Sequence, residues 1–300
     1  MIDYEAVKHW QFADVINEYS QDDVILYALS LGMAEDPFDE SDLGYVVEDD
    51  LRVVPTLLAT VGAPGAWATD PKTGIDWMQI LHGEHRMRFD AVLAPSGKLL
   101  SRTRVSGIVD KGVGKGALVT TEREVLDADS GRRVAYVEHV SFCRADGGYS
   151  TMGRACSDAP LPALQAAPTS AHDVEIEMGT RRNAALLYRL NGDRNPIHAL
   201  PQVWRNAGFE QPILHGLCTY GMAARGLLRL VCGNAPQRLA SIAARFSAPV
   251  IPGETLILRV WHGMQDPVSA TQAVHFEVWV RERQCKVLSH GVAEIRMSAE

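Results

Sequence analysis

Asp193 and His198 are the residues whose types and spacing most directly indicate chemistry. They lie in the stretch LNGDRNPIHALPQVWRNAGFEQPILHGL, Leu190–Leu217, which also holds three prolines and three glycines. A carboxylate beside an imidazole can accept and donate protons near neutral pH. Asn195, between them, can hold a water or a carboxylate by a hydrogen bond. These residue types indicate general acid–base chemistry, which contributes about 10²–10⁴ in rate.

The backbone between these residues must be a turn for both side chains to act on one point. On a helix, a spacing of five would place Asp193 and His198 on different faces. Gly192 can end a helix, and Pro196 disfavours helix at Asn195. The competing interpretation is structural, because Asp and Asn in such turns usually bond their own backbone. The run offers at most three metal ligands and lacks the rest of a calcium loop, so we expect no metal site.

A second element follows at once, a mostly apolar helix predicted over residues 214–232 that begins near Gly216. The first N–H groups of a helix have no partner within it, and the helix end carries partial positive charge. Gly216 lets a ligand approach this backbone closely, so its N–H can stabilise a carbonyl oxygen that gains negative charge, an effect worth about 10²–10³ in rate. Alternatively, Gly216 only permits close helix packing. We interpret His215 as a structural or capping residue rather than a second base.

The chain also repeats itself, which indicates two copies of one fold. Three pairs of similar segments occur in the same order in both halves: VILYALSLG with ALLYRLNGD, ILHGEHRM with ILHGLCTYGM, and FDAVLAPSGKLLSRTRVSG with FSAPVIPGETLILRVWHG. We predict one domain over residues 1–150, an Ala-, Pro- and Ser-rich linker over 151–171, and a second domain over 172–300.

Each copy is predicted to be a central helix with antiparallel strands, an α+β fold. In the second copy the pattern predicts strands over 173–178, 239–247, 254–262, 271–281 and 286–297, and a short helix over 181–190. In the first copy the ILHG similarity places the start of the central helix at Ile80. His82 and Glu84 are therefore expected near a helix start.

The motif residues resemble a known family. YRLNGDRNPIH, Tyr188–His198, followed by Ala207-Gly-Phe and PILHGL up to Leu217, is similar to the signature of the hydratase 2, MaoC-like enoyl-CoA hydratases. The resemblance implies a double hot-dog fold, in which each half wraps a sheet around a long helix. It departs from the family at Asn191, where serine is commoner, and at Ala199-Leu200, which replaces an acid-containing pair.

The resemblance also implies a reaction, the reversible syn hydration of a trans-2-enoyl-CoA to the (3R)-3-hydroxyacyl-CoA without a cofactor. The catalytic residues would be Asp193, Asn195 and His198, with the N–H of Gly216 as oxyanion donor. His198 is expected to take a proton from the attacking water, while Asp193 handles the proton at Cα.

Substrate contacts are expected on both sides of this site. Around the motif we assign Arg194, Pro196 and His215 to substrate binding. The run DKGVGKGA, Asp110–Ala117, lacks Walker spacing and is predicted to be a hairpin turn. Its lysines, Lys111 and Lys115, either meet the phosphates of coenzyme A or are solvated.

The first copy lacks the site, because no histidine lies between Trp10 and Leu81. Its interior is hypothesised to hold the acyl chain. Alternatives for the whole chain are a dehydratase of a branched or dicarboxylic acyl-CoA, a hot-dog thioesterase using Glu84, or a non-catalytic acyl-CoA-binding protein.

Bulk properties narrow the partners and the compartment. A net charge of −8 and a pI of about 5.7 argue against nucleic acid or anionic membrane as the main partner. Five cysteines without metal spacing, no signal-peptide layout, no long apolar span and no Ser-Lys-Leu ending predict a cytoplasmic protein. Two chains can pair into a homodimer through exposed sheet edges.

Overall fold

Ten antiparallel strands form one continuous sheet in the computed structural model, which describes residues 1–36, 38–152 and 156–297. The first half contains α1 (Tyr4–Lys8), β1 (Val15–Tyr19), α2 (Gln21–Ser30), β2 (Ile80–Phe89), β3 (Gly97–Asp110), β4 (Ala117–Asp127) and β5 (Arg133–Cys143). The second half contains β6 (Val174–Gly179), α3 (Ala184–Tyr188), α4 (Pro201–Asn206), α5 (Gly216–Leu230), β7 (Leu239–Phe246), β8 (Thr255–Asp266), β9 (Thr271–Val280) and β10 (Cys285–Arg296). Among the described residues, no helix is both long and apolar enough to cross a membrane.

The strand order is the same in the two halves when each is read from the middle outward. The sheet runs β1-β3-β4-β5-β2-β7-β10-β9-β8-β6, so the halves join where β2 pairs with β7. Phe89 ends β2 and Phe246 ends β7, and β3 and β8 follow after similar turns. The predicted α+β class, the internal repeat of these segments and all five second-half strands are confirmed.

The central helix of the second half, α5, forms because its apolar and small residues recur at helical spacing, and most of its side chains are buried. It lies against the sheet from β8 to β7: a side chain at Gly226 would meet Leu258, and the Tyr220 hydroxyl donates to the Ile242 carbonyl at 2.6 Å. On its other side, Gly221 approaches Leu31, which directly follows α2. Small residues thus allow the close approach that buries α5.

The helix predicted to begin at Ile80 is wrong, because residues 80–89 form strand β2. The side chains of His85, Met87 and Phe89 alternate into the interior, which is the period of a strand and not of a helix. Between α2 and β2 the described residues contain only short 3-10 turns, including the buried Pro55–Ala59. The long central helix of the hot-dog fold is therefore confirmed in the second half and replaced by these turns in the first.

The described part of the predicted connector packs on the first half. Asp158 accepts hydrogen bonds from Lys8 and Tyr4 and from the backbone of Ile108, and the Pro162 carbonyl accepts one from Arg86. Residues 153–155 of the predicted linker lie outside the described residues. The predicted hairpin turn is confirmed, since residues 111–116 join β3 to β4.

Substituting Gly226→Val is expected to lower the free energy of unfolding by about 1–3 kcal/mol, because the new Cβ would lie 2.4 Å from Leu258 Cδ2 in a packed core. Urea unfolding followed by circular dichroism measures the change. Gly179→Val is the matched control, because a Cβ there meets nothing within 4 Å. Equal stability of the two variants would show that α5 does not pack this closely.

Candidate active site

The turn that carries Asp193 is held by its own short hydrogen bonds. Gly192 has a φ of 114°, a conformation that favours glycine, and ends the turn after α3. The Asn195 N–H donates to Asp193 Oδ1 at 3.1 Å, and the Ile197 N–H donates to Asn195 Oδ1 at 3.1 Å. Asp193 and Asn195 therefore bond their own backbone, as the structural interpretation of this turn expects. Asn195 is exposed and caps the 3-10 turn Pro196–His198.

A hydrogen bond fixes the His198 side chain to the segment that leads into α5. Its Nδ1 lies 2.8 Å from the Ile213 carbonyl oxygen. Because a carbonyl only accepts, Nδ1 must carry the proton, and Nε2 is left with a free lone pair. The side chain is 7% exposed. His198 is thus oriented as a base, with its acceptor nitrogen turned away from the backbone that holds it.

His215 lies directly against His198. The two rings stack with centroids 3.6 Å apart and planes inclined by 25°. His215 occupies the N-cap position of α5, where its side chain makes no capping hydrogen bond. Instead its Nε2 donates to the Asp193 carbonyl at 3.2 Å, which ties the turn to the helix start. This contact supports the structural role predicted for His215.

One ligand atom from each of Asp193, His198 and His215 lies within 4.8 Å of the other two. A metal would need the two imidazole lone pairs to converge on it in the ring planes, with nitrogens about 2.0–2.1 Å away. Stacked rings direct their lone pairs side by side. The arrangement therefore suits proton transfer between a carboxylate and an imidazole better than it suits metal binding.

Gly216 is the first residue of α5, so its N–H has no acceptor within the helix. A Cβ at this position would lie 3.1 Å from His82 Cδ2 and 3.1 Å from Phe246 Cε1. The residue thus stands in a narrow gap between two aromatic side chains, one from each half of the chain. A flat thioester can enter such a gap only where the helix start bears no side chain.

His82 is the residue near the site that the sequence interpretation missed. It lies on β2 and not at a helix start, and its ring contacts those of Phe246 and His139 at 5.3 and 4.9 Å. The first half, predicted to lack the catalytic residues, therefore supplies one wall beside Gly216. The sequence signal for the strand is the alternation of charged residues with His85, Met87 and Phe89, which would have placed His82 on a strand.

Burial keeps the imidazoles of this region neutral. Desolvation lowers the pKa of His215 to about 3 and that of His82 to about 4. Burial also lowers the pKa of His198, although the Ile213 carbonyl and the Asp193 charge act in the opposite direction. At pH 7 the free nitrogen of His198 can therefore accept a proton.

The remaining predicted residues lie on the surface around the site or away from it. Arg194 is exposed and Pro196 begins the 3-10 turn. Lys111 and Lys115 are exposed on the β3–β4 hairpin, where Lys111 Nζ lies 5.4 Å from the Phe142 ring centroid. Their roles in binding substrate stay predictions.

Acid should destabilise the protein through its buried imidazoles. The unfolded chain binds protons at its histidines near pH 6.5, whereas in the folded chain burial lowers the pKa of His215 to about 3. Stability is therefore fully present above pH 6.5 and is lost as the pH falls toward 3. His215→Phe should reduce this slope by up to about 1.4 kcal/mol per pH unit. Urea unfolding of both proteins from pH 7 to 4.5 measures it, and identical slopes would contradict the burial argument.

Comparison with known proteins identifies the family. Residues 17–145 match the MFE-2 hydratase 2 N-terminal domain and residues 163–284 match the MaoC like domain. The chain is 39% identical over 251 residues to 3-hydroxyacyl-thioester dehydratase Y of Mycobacterium tuberculosis, covering 81% of this chain and 82% of that protein. It is 32% identical to the peroxisomal enoyl-CoA hydratase 2 of Arabidopsis thaliana, covering 93% and 90%. The crystal structure of a MaoC-like dehydratase from Phytophthora capsici superposes with a TM-score of 0.82 at 31% identity, covering 99% of this chain and 100% of that one. The chain therefore belongs to the MaoC-like hydratase 2 family of double hot-dog proteins.

Proposed function

We propose that this protein is a hydro-lyase that interconverts trans-2-enoyl-CoA and (3R)-3-hydroxyacyl-CoA. The observation that carries the proposal is the grouping of Asp193 and His198 within 4.8 Å of each other, with His198 stacked on His215, the residue that directly precedes the Gly216 N–H at the start of α5. The names of relatives that are similar over most of their length, an enoyl-CoA hydratase 2 and a 3-hydroxyacyl-thioester dehydratase, support it.

The reaction needs one proton removed from water and one delivered to carbon. In our scheme the thioester carbonyl accepts a hydrogen bond from the Gly216 N–H, which stabilises the enolate oxygen. The water oxygen bonds to Cβ while His198 Nε2 takes its proton. That proton passes from His198 to the Asp193 carboxylate, which delivers it to Cα, so both side chains return to their starting state. Because both groups act from one side, addition is syn.

The oxygen of the attacking water also needs a position. Asn195 is proposed to hold it through its amide nitrogen, because the amide oxygen already accepts from Ile197. Arg194 and Pro196 are the neighbours of Asn195 in the chain and are proposed to contact the substrate. All of these groups belong to the protein or the water, so the scheme uses no cofactor.

A thioesterase is the alternative that the structure addresses most directly. The thioesterase hypothesis requires Glu84 to be a catalytic carboxylate near a helix start. Glu84 instead lies on β2 and pairs with Arg86 at 2.6 Å and Arg245 at 2.7 Å. These ion pairs lower its pKa against the effect of burial and hold the carboxylate as a structural anion. The contacts favour the hydratase.

Compartment and assembly stay predictions. We propose a cytoplasmic location, supported by five cysteines that are all free. Several relatives are named as peroxisomal. A homodimer is also proposed. The sheet edges β1 and β6 are short and carry Glu18, Glu175 and Glu177, features that discourage edge pairing. A dimer would therefore form through another surface.

Replacing His198 by alanine, or Asp193 by asparagine, should lower kcat for crotonyl-CoA hydration by about 10²–10⁴, because each change removes one proton-transfer group. Loss of the near-ultraviolet absorbance of the enoyl thioester measures the rate. The product should be the (3R) isomer.

The matched control is His262→Ala, at an exposed histidine on β8. It should hydrate crotonyl-CoA at the wild-type rate. If His198→Ala, folded as judged by circular dichroism, retained that rate as well, the site assignment would be wrong.

Lys111 and Lys115 are proposed to bind the phosphates of coenzyme A. The double change to alanine should raise KM for crotonyl-CoA by about threefold to tenfold and leave kcat unchanged, since lost ion pairs of this kind are each worth about 1 kcal/mol or less. Crotonyl-pantetheine, which lacks the nucleotide phosphates, should show no change in KM. A KM for crotonyl-CoA equal to that of the wild type would remove these lysines from the binding site.

A further inference from the structure

A row of buried polar residues crosses the inner face of the first-half sheet. On β4, Ala117 and Val119 belong to one hydrophobic cluster and Val125 belongs to another. The two side chains between them on the same face are Thr121 and Arg123, which are 9% and 5% exposed. A polar stretch therefore separates two apolar cores inside one sheet.

The row continues across the neighbouring strands toward the active site. Thr121 pairs with His139 on β5, and His139 pairs with His85 on β2. His85 Nδ1 lies 3.1 Å from His139 Nδ1, and the His139 ring lies 4.9 Å from that of His82. We call Arg123, Thr121, His139, His85 and His82 the polar belt. It ends at His82, which stands against Gly216.

Among the described residues, the positive charge in the polar belt has no counterion. Arg123 donates to the carbonyls of Leu58 and Val61, near the end of a 3-10 turn. No carboxylate of the described residues lies within 4 Å of its guanidinium. Burial lowers the pKa of Arg123 to about 10, so the group is still charged at pH 7. A buried cation without a counterion is costly, and an anionic ligand would offset that cost.

Two imidazole nitrogens of the polar belt are also unused. His85 Nε2 and His82 Nδ1 are buried and have no hydrogen-bond partner. Buried polar atoms in native proteins are nearly always paired, so atoms like these mark places where a ligand or water belongs. His85 is 2% exposed, which makes it part of the interior and not of the outer surface.

The catalytic end of the polar belt is its most exposed part. His82 and His139 are each partly exposed, although His85, Thr121 and Arg123 around them are buried. Arg123 pairs with Val137 and His82 pairs with Ser141, so they are four residues apart along β5 as well as two strand spacings apart across the sheet. The two displacements combine to about 16 Å, roughly the length of a fourteen-carbon chain. A long acyl chain whose thioester lies at Gly216 would extend past His82 and place its far end beside Arg123.

We propose that the polar belt binds a carboxylate at the far end of the acyl chain, so that long-chain α,ω-dicarboxylic enoyl thioesters are the preferred substrates. The guanidinium of Arg123 supplies the charge, and the imidazole N–H groups supply further donors. This inference rests on the proposed hydratase function, because the same active site acts on the other end of the chain.

The test compares substrates that differ only at the far end. We expect kcat/KM for trans-2-hexadecenedioyl-CoA to exceed that for trans-2-hexadecenoyl-CoA at least tenfold with the wild-type protein. The ω-hydroxy analogue, 16-hydroxy-trans-2-hexadecenoyl-CoA, should behave like hexadecenoyl-CoA, since it is polar but uncharged. Crotonyl-CoA, too short to reach the polar belt, is the reference substrate.

Two variants locate the effect. Arg123→Gln should remove the preference for the dicarboxylic substrate, lowering its kcat/KM at least tenfold while crotonyl-CoA stays within twofold. Arg123→Lys should restore part of it. His139→Phe keeps a ring at the centre of the polar belt and should also reduce the preference, which gives a second route if Arg123→Gln does not fold. Arg102→Gln, at an exposed arginine of β3, is the matched control and should change nothing.

The outcomes separate this inference from the proposed function. Hydration of crotonyl-CoA with equal or better turnover of hexadecenoyl-CoA than of hexadecenedioyl-CoA would overturn the inference and leave the hydratase intact. Equal preference for the ω-hydroxy and the dicarboxylic chain would also overturn it, because charge would not matter. Failure to hydrate any of these thioesters would overturn the hydratase itself.

Discussion

The hydrogen bond from His198 Nδ1 to the Ile213 carbonyl, 2.8 Å long, determines how the rest of the site is arranged. It joins the turn after α3 to the segment that begins α5, and it decides which imidazole nitrogen is free. The Leu214 N–H in turn donates to the Val250 carbonyl at 2.8 Å, which anchors that segment beside the sheet. A base and a free helix N–H therefore keep a fixed relation, as preorganised catalysis requires.

The two halves of the continuous sheet contribute different parts of the site. Pairing of β2 with β7 brings His82 of the first half against Gly216 of the second, so the site lies at the junction of the repeats. In the first half, short 3-10 turns between α2 and β2 take the place of the long helix. The polar belt occupies part of the inner face of that half's sheet. One copy has the helix start that the proposed chemistry needs, and the interior of the other is proposed to recognise the rest of the substrate.

The second half could be read from sequence because its local patterns agree with its structure. Its strands alternate, its helix carries apolar and small residues at helical spacing, and the Gly-Asp-x-Asn-Pro-x-His turn bonds its own backbone. The helix start predicted at Ile80 was wrong because ILHG occurs in both halves. It leads into a helix after Ile213, but it lies on a strand at Ile80. The polar belt could not be foreseen, since the run TTEREVL, Thr120–Leu126, is polar on both faces and nothing local shows that Arg123 points inward.

A crystal structure of the Asp193→Asn variant with a bound trans-2-enoyl-CoA would examine the central arrangement directly. We predict the thioester oxygen at about 2.7–3.1 Å from the Gly216 nitrogen, with Cβ facing His198 Nε2 across one water. A carbonyl turned away from the start of α5, or an acyl chain bound where His198 cannot approach it, would contradict the account.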